Sequence, residues 1–208
     1  MNIIILGDKY QKRMKSKGCV GLMKYNNKNI VNHQYKTIRS VFPSCKIIYV
    51  HGFDSKRFVS YINKNILTYQ NMLLINNHEY DTRNNSYSLN LIKDHLNDHS
   101  IIMFGDHVLK SSTFDNFRFS NESQIFINKK NKTRLGCIIN NNKIDNISYD
   151  LENYLSEVYY ISKDQIQTFK QLVSEPKNHN NFIFEILNKM IDLNQSIKPF
   201  YTHSKQYA

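Results

Sequence analysis

A β-branched run near the start, Asn2-Ile3-Ile4-Ile5-Leu6, leads into a polar loop that begins at Gly7. Helix-like sequence follows, and then a second apolar run, Ile47-Ile48-Tyr49-Val50, which ends at His51-Gly52-Phe53. Strand, long loop, helix and strand form the opening unit of an open α/β sheet. In such sheets ligands sit beyond the carboxyl ends of the strands. The chemistry of the first loop therefore decides what this end of the sheet can hold. That loop is basic, with Lys9, Lys12, Arg13, Lys15 and Lys17 in quick succession.

The same alternation continues. Lys28 to Val41 predicts a helix, because Ile30, Val31, Tyr35, Ile38 and Val41 recur at helical spacing and Pro43 stops the run. Asp54 is placed to cap a helix carrying Phe58, Val59, Ile62 and Ile66. Asn71 to Ile75 reads as a short buried strand. Asn84 or Asn85 starts a helix with Leu89, Leu91, Ile92 and Leu96 as its apolar stripe. A further strand, Ile101 to Phe104, ends at Gly105-Asp106.

Shorter strands follow over Ser123 to Asn128, Arg134 to Asn140 and Lys143 to Ile147, with Asn140-Asn141-Asn142 as a hairpin turn. Val158 to Ile161 and Ser196 to Tyr201 are strands, and Lys163 to Val173 and Asn180 to Leu193 are helices. The pattern predicts an α/β fold: a mostly parallel, mixed central sheet of about seven strands flanked by helices. Residues 1–208 read as one domain without internal repeats.

Apolar residues make up 40% of the 208 and charged residues 22%, enough for a packed core and unlike a disordered chain. Lys and Arg number 28 against 17 Asp and Glu, a net charge of +11 that attracts phosphate on nucleotides, nucleic acid or anionic membranes. Heavy use of Asn, Lys, Ile and Tyr fits an AT-rich genome, a viral one among the candidates, and the same bias would charge the surface with no partner involved. The basic residues are dispersed, and no helix-turn-helix, zinc-finger or RNA-recognition signature is present, so nucleic acid ranks behind small phosphorylated ligands.

Cys19, Cys45 and Cys137 show neither paired nor metal-ligand spacing and are expected to be free thiols in a reducing compartment. His51, His78, His95, His99 and His107 also lack metal spacing and read as structural. No apolar run approaches the ~20 residues of a membrane span, and no signal pattern opens the chain, so no membrane partner and a cytoplasmic protein (host cytoplasm for a virus) are expected.

Several stretches carry a resemblance. Leu6 is followed by Gly7-Asp8-Lys9-Tyr10-Gln11-Lys12-Arg13-Met14, and Leu22 to Ile30 precedes the first long helix. Val50-His51-Gly52-Phe53 ends the second strand, Asn84-Asn85-Ser86-Tyr87-Ser88-Leu89 opens a helix, and Gly105-Asp106 follows a strand. In these pieces, in this order, the chain resembles the nucleotidyltransferases that activate sugar phosphates, phosphocholine or molybdopterin on a glycosyltransferase-A-like, Rossmann-like fold. Their first loop reads A-A-G-x-G-x-R-M, and Arg13 and Met14 stand in its frame.

The resemblance implies transfer of a nucleotidyl group from a nucleoside triphosphate, CTP in the choline-phosphate branch, to a small phosphorylated acceptor with release of pyrophosphate. It implies Arg13 and Asp106 as catalytic residues and Asp106 as the ligand of Mg²⁺. Gly7, Lys12, Arg13, Lys17, Asn84, Asn85 and Ser88 would contact the nucleotide. The physical basis is ordinary: glycines let backbone N–H groups approach phosphate, an Arg fork grips two oxygens, and an Asp-held Mg²⁺ bridges phosphates.

The chain also departs from the pattern. Lys9 and Gln11 replace loop glycines, and Asp8 sets a negative charge where the triphosphate is expected. Cys19-Val20 occupies the register of a signature Pro-Lys, with Lys17 or Lys24 as nearby substitutes. Beyond Tyr201 no carboxylate side chain matches the family's second metal-binding Asp. Asp106 also has a bland reading as a turn or cap residue. Three outcomes follow: an active nucleotidyltransferase; a catalytically inactive descendant, a pseudoenzyme kept as a binding or protein-assembly module; or a basic protein that binds nucleic acid non-specifically.

Overall fold

The computed structural model describes residues 1–10, 12–65, 68–128 and 134–202, with the side chains of residues 12–14 outside that description. In chain order the elements are β1 (Asn2–Gly7), β2 (Lys24–Tyr25), β3 (Lys28–Asn29), α1 (Ile30–Val41), β4 (Lys46–His51), α2 (Ser55–Lys64) and β5 (Met72–Asn76). There follow α3 (Asn85–Asn90), β6 (Ser100–Phe104), β7 (Ser123–Ile127), β8 (Leu135–Asn140), β9 (Lys143–Tyr149), β10 (Leu155–Ile161), α4 (Ile166–Ser174), α5 (Ile183–Asp192) and β11 (Ile197–Tyr201).

Seven strands form one sheet in the order β11-β7-β10-β6-β1-β4-β5. β1 lies between β4 and β6 and runs parallel to both, and β5 extends the sheet in parallel beside β4. β10 runs antiparallel to β6 and β7, and β11 returns parallel to β7. The mostly parallel, mixed sheet expected from the alternation of strands and helices is thus present, and β8 and β9 form a separate hairpin.

Both faces of the sheet are covered, which is why β1 is buried along its whole length. Ile3 and Ile5 join Tyr49, Val31 and Ile38 of α1 and Phe58 and Ile62 of α2 on one face. Ile4 and Leu6 join Leu89, Phe169 and Leu187 from α3, α4 and α5 on the other. Each such isoleucine contributes about 1.5–3 kcal/mol by leaving water.

Three local differences from the sequence reading have physical causes. α3 ends at Asn90, with Leu91 half-buried, so the stripe through Leu96 is completed by a 3₁₀ turn over Lys93–His95 instead of a continuous helix. Asp54 occupies the position before α2 in a left-handed conformation (φ 54°) and makes no side-chain cap bond; its carboxylate pairs with Arg57 at 3.7 Å. Ile66 lies outside the described residues. A small hairpin, β2–β3, turns on Asn26 and Asn27, whose φ of 45° and 62° mirrors that of Asn141 and Asn142 (48° and 60°) between β8 and β9. Asparagine tolerates this region, and two such residues make a tight hairpin turn.

Two contacts fix the carboxyl ends of the central strands. Gly105 follows β6 and donates its N–H to the Leu6 carbonyl at 2.8 Å. A Cβ on Gly105 would lie 2.5 Å from the Gly7 Cα and 2.9 Å from the Tyr49 hydroxyl. The second contact is made by Asp8, which turns inward and is 0% exposed. Its Oδ2 accepts from Asn77 Nδ2 and Ser88 Oγ, both at 2.9 Å, and its carbonyl accepts from Phe53 N–H at 2.9 Å. Oδ1 has no hydrogen-bond partner among the described residues. Asp8 thereby ties the first loop to the chain after β5 and to α3.

Two outcomes are expected. Gly105→Ala should lower stability by about 1–3 kcal/mol, read as a lower urea midpoint with unchanged slope, because neither backbone nor ring can yield easily. Burial raises the Asp8 pKa, while the Ser88, Asn77 and backbone hydrogen bonds and the Lys9 charge oppose the rise. A pKa higher folded than unfolded means stability is full below the unfolded value and falls as pH rises through the folded one. The melting temperature of Asp8→Asn relative to the parent should therefore rise as pH is raised above the ordinary carboxylate value of about 4. A difference that is flat with pH would show that the buried carboxyl carries no ionisation penalty.

Candidate active site

A cavity of about 340 Å³ opens at the carboxyl ends of β1 and β6. Its lining includes Lys9 and Tyr10 from the first loop, Asn85 from α3, Asp106 after β6, Glu157 and Tyr159 from β10, and Arg134 with Leu135 from the start of β8. Tyr149 at the end of β9 and Phe182, Ile183 and Phe184 at the start of α5 line it too. That volume lies within the range of small-ligand sites.

The acidic side of the cavity is organised around His107, which is nearly fully buried. Its Nε2 lies 3.3 Å from Glu157 Oε2 and 3.8 Å from Asp106 Oδ1. Burial works against the imidazolium, but the Glu157 hydrogen bond and the charges of Asp106 and Glu157 outweigh it, so the His107 pKa lies above the ordinary histidine value. Gln34 on α1 donates to the Phe104 and His107 carbonyls, both at 2.9 Å, and so fixes the turn that carries Asp106.

Glu157 reaches the cavity through an irregularity in β10. Pairing with β7 shifts register between Leu155 and Tyr159, and Glu157 itself has a φ of 55°. Such a bulge re-aims a side chain, and positive φ on a residue other than glycine is strained. Lys9, which also lines the cavity, is half-buried, and its Nζ donates to the Arg83 carbonyl. Desolvation lowers its pKa, against the opposing charges of Asp8 and Asp81.

The residues singled out from the sequence are distributed as follows. Asn85 and Asp106 meet in the cavity. Ser88 lies beneath it, fully buried with its hydroxyl on Asp8, and so does not line it. Asn84 donates to the Asn180 carbonyl at 2.6 Å and holds α3 to the loop before α5. Lys17 is exposed at the end of a 3₁₀ turn over Lys12–Lys17 and is not part of the cavity lining. The side chains of Lys12 and Arg13, in the same turn, lie outside the described residues. Gly7 is buried, and a Cβ there would lie 2.2 Å from the Tyr49 hydroxyl, so close packing on β4 already requires glycine.

Two departures noted in the sequence take a definite form. Asp8 presents no charge to the cavity, because its carboxyl is turned under the loop. Val20, in the register of the signature lysine, lines the cavity as an apolar residue. Lys24 is exposed at the start of the β2–β3 hairpin. Lys9, which replaces a loop glycine, places an amine there instead.

Other residues in the lining, and His107 behind it, carry weak signals in the sequence. His107 directly follows Asp106 and was grouped with the structural histidines. Tyr159, Phe182 and Phe184 are ordinary aromatic residues of an expected strand and helix, yet all three line the cavity, and Phe182 is 41% exposed. Arg134 and Glu157 sat in no motif. Glu157 was recoverable only as a charged residue interrupting an apolar strand.

Mg²⁺ is compatible with this donor set. It favours one or two carboxylates completed by phosphate oxygens and water, and Asp106 and Glu157 supply two carboxylates on one wall. Among the described residues there is no group of three or more His, Cys, Asp or Glu side chains that could hold a metal ion, so any cation here would depend on one or two carboxylates and on ligand oxygens. The thiols of Cys19, Cys45 and Cys137 are free and buried. No helix among the described residues is long and apolar enough to cross a membrane.

No protein-family model matches the sequence, and no curated protein matches it at a significant level. Solved structures do match. CTP:phosphocholine cytidylyltransferase from Streptococcus pneumoniae is 17% identical, with 99% of this chain and 92% of that chain covered at a TM-score of 0.80. The inositol-1-phosphate CTP transferase from T. maritima is 16% identical over 99% and 87% of the two chains, with a TM-score of 0.77. A UDP-glucose pyrophosphorylase is 10% identical over 99% and 92%, with a TM-score of 0.73. At these identities the likeness is one of architecture, and this chain has the glycosyltransferase-A-like fold of the nucleotidyltransferases.

Proposed function

We propose that the protein transfers a nucleotidyl group from a nucleoside triphosphate to a small phosphorylated acceptor and releases pyrophosphate. The observation that carries this reading is the meeting of Asn85 and Asp106 in one cavity at the carboxyl ends of β1 and β6, facing the amine-bearing loop residue Lys9. The fold is shared with enzymes whose names specify CTP and phosphorylated acceptors. CTP is the donor to test first.

In this reading an oxygen of the acceptor phosphate attacks the α-phosphorus, the bond to the bridging oxygen breaks, and pyrophosphate leaves. Little of this requires a proton donor, so positioning and charge stabilisation dominate the rate. Lys9 and Arg134 supply positive charge at the cavity, with Arg13 assigned to the triphosphate on motif alone. Asn85 offers an amide with both donors and an acceptor for a base edge. Mg²⁺ held by Asp106 would neutralise charge on the phosphate oxygens. The aromatic wall of Tyr149, Phe182 and Phe184 excludes water from the acceptor side.

A second reading has its own support. Val20 stands at the signature lysine's register, and the Lys9 amine already has the Arg83 carbonyl as a partner. Both features suit an inactive descendant that binds without turning over.

A pyrophosphate-release screen with the four nucleoside triphosphates against phosphorylated sugars and amino alcohols separates the two readings. Activity with at least one pair is expected. Asp106→Asn should then slow release by about 10²–10³-fold with the melting temperature unchanged. Unaltered turnover in that variant removes Asp106 from the chemistry. Calorimetric binding of Mg-nucleotide with no release for any pair identifies the inactive module.

A further inference from the structure

We propose that Glu157 is a protein ligand for a divalent cation shared with Asp106, supplying a second carboxylate from β10. The proposal rests on the functional reading for the choice of cation and on the structure for the choice of residue.

Three features converge on Glu157. First, its carboxylate and that of Asp106 are brought together by one imidazole: His107 Nε2 is 3.3 Å from Glu157 Oε2 and 3.8 Å from Asp106 Oδ1. A buried histidine holding two carboxylates fixes their orientation, as outer-shell groups do at metal centres. Second, the backbone is distorted to place it. Four residue steps on β10, Leu155 to Tyr159, span two on β7, Ile127 to Ile125, and Glu157 sits in that irregularity with φ 55°. An exposed strand residue would have no need of such strain, which costs of order 1–3 kcal/mol.

Third, Tyr159 lines the same cavity at 1% exposure, and its hydroxyl has no hydrogen-bond partner among the described residues. A buried hydroxyl without a partner is costly. On a cavity wall beside two acids, it points to a polar ligand or a cation-bound water as its missing partner. Two carboxylates leave several positions around a hexacoordinate cation for phosphate oxygens and water, as a nucleotide-dependent site requires. Glu157 and Asp106 come from neighbouring strands, β10 and the end of β6, so the sheet sets the separation of the two acids.

Mn²⁺ is the probe, because free and bound ion are separated by electron paramagnetic resonance without any turnover. MnCl₂ titrations of the parent, Glu157→Gln and Asp106→Asn, each with and without CTP, are compared after melting curves establish folding. Glutamine keeps an oxygen that can accept from His107, so a purely structural role leaves Mn²⁺ affinity unmoved. The expected result is a loss of affinity of about tenfold or more in both variants, with partial recovery in Glu157→Asp.

Affinity unchanged in Glu157→Gln but reduced in Asp106→Asn overturns the assignment of Glu157 and leaves the nucleotidyl-transfer reading intact. Absence of Mn²⁺ binding in the parent, with and without CTP, also overturns it. Pyrophosphate release is measured separately, so failure of catalysis alongside intact two-acid Mn²⁺ binding counts against the functional reading alone.

Discussion

The central constraint is the close approach of two backbones at the carboxyl ends of β1 and β6. Gly7 and Gly105 lie side by side above the Tyr49 hydroxyl, and a Cβ on either would enter space already occupied. Gly21 meets the same hydroxyl, with a Cβ position 2.5 Å from it. Glycine is therefore required by the packing of β4 against the two loops, before any ligand is considered. The contact sets how far apart Lys9 and Asp106 begin, because each follows one of the abutting strands. Tyr49 itself is fully buried, its hydroxyl has no partner among the described residues, and its pKa lies well above the ordinary phenol value because of burial. It acts as an apolar wedge.

Asp8 shows how the same loop disposes of an unfavourable charge. A carboxylate at the mouth of a phosphate site would repel the ligand through a low-dielectric gap. Here the chain turns the side chain under the loop and satisfies one oxygen with Asn77 and Ser88, leaving the other without a partner among the described residues. Burial favours its protonated form. The surface presented to the cavity is then the neighbouring Lys9 amine, so consecutive residues of opposite charge are separated by the loop's own fold.

Much of the architecture was legible because it depends on periodicity. The strand over Ile3 to Leu6, the helix reaching Val41 and the antiparallel second half all follow from apolar spacing and turn residues. The Asn141-Asn142 turn was read from its dipeptide, whereas the chemically identical Asn26-Asn27 turn was not, since its two-residue strands carry no alternation to flank it. The cavity was legible only in part. Asp106 and Asn85 sit in motifs, but Ser88 shares Asn85's motif yet lies one turn deeper, fully buried with its hydroxyl on Asp8. Glu157 and Arg134 become neighbours of Asp106 only when the sheet closes, so local sequence could not relate them.

The charge distribution in the cavity gives the departures from the motif a common logic. The first loop brings Lys9 to the cavity, Val20 lines it as an apolar residue, and Glu157 enters it from β10. Opposite charges thus line one cavity from separate parts of the chain, Lys9 from the loop after β1, and Asp106 and Glu157 beside His107 from β6 and β10. A site for a polyanion and its cation needs that separation more than it needs any one residue to supply it. Drift without function would discard first the features that impose strain, and the left-handed Glu157 on its bulge is such a feature. Its presence beside a buried tyrosine hydroxyl that has no partner among the described residues argues that this wall of the cavity is still shaped by a ligand.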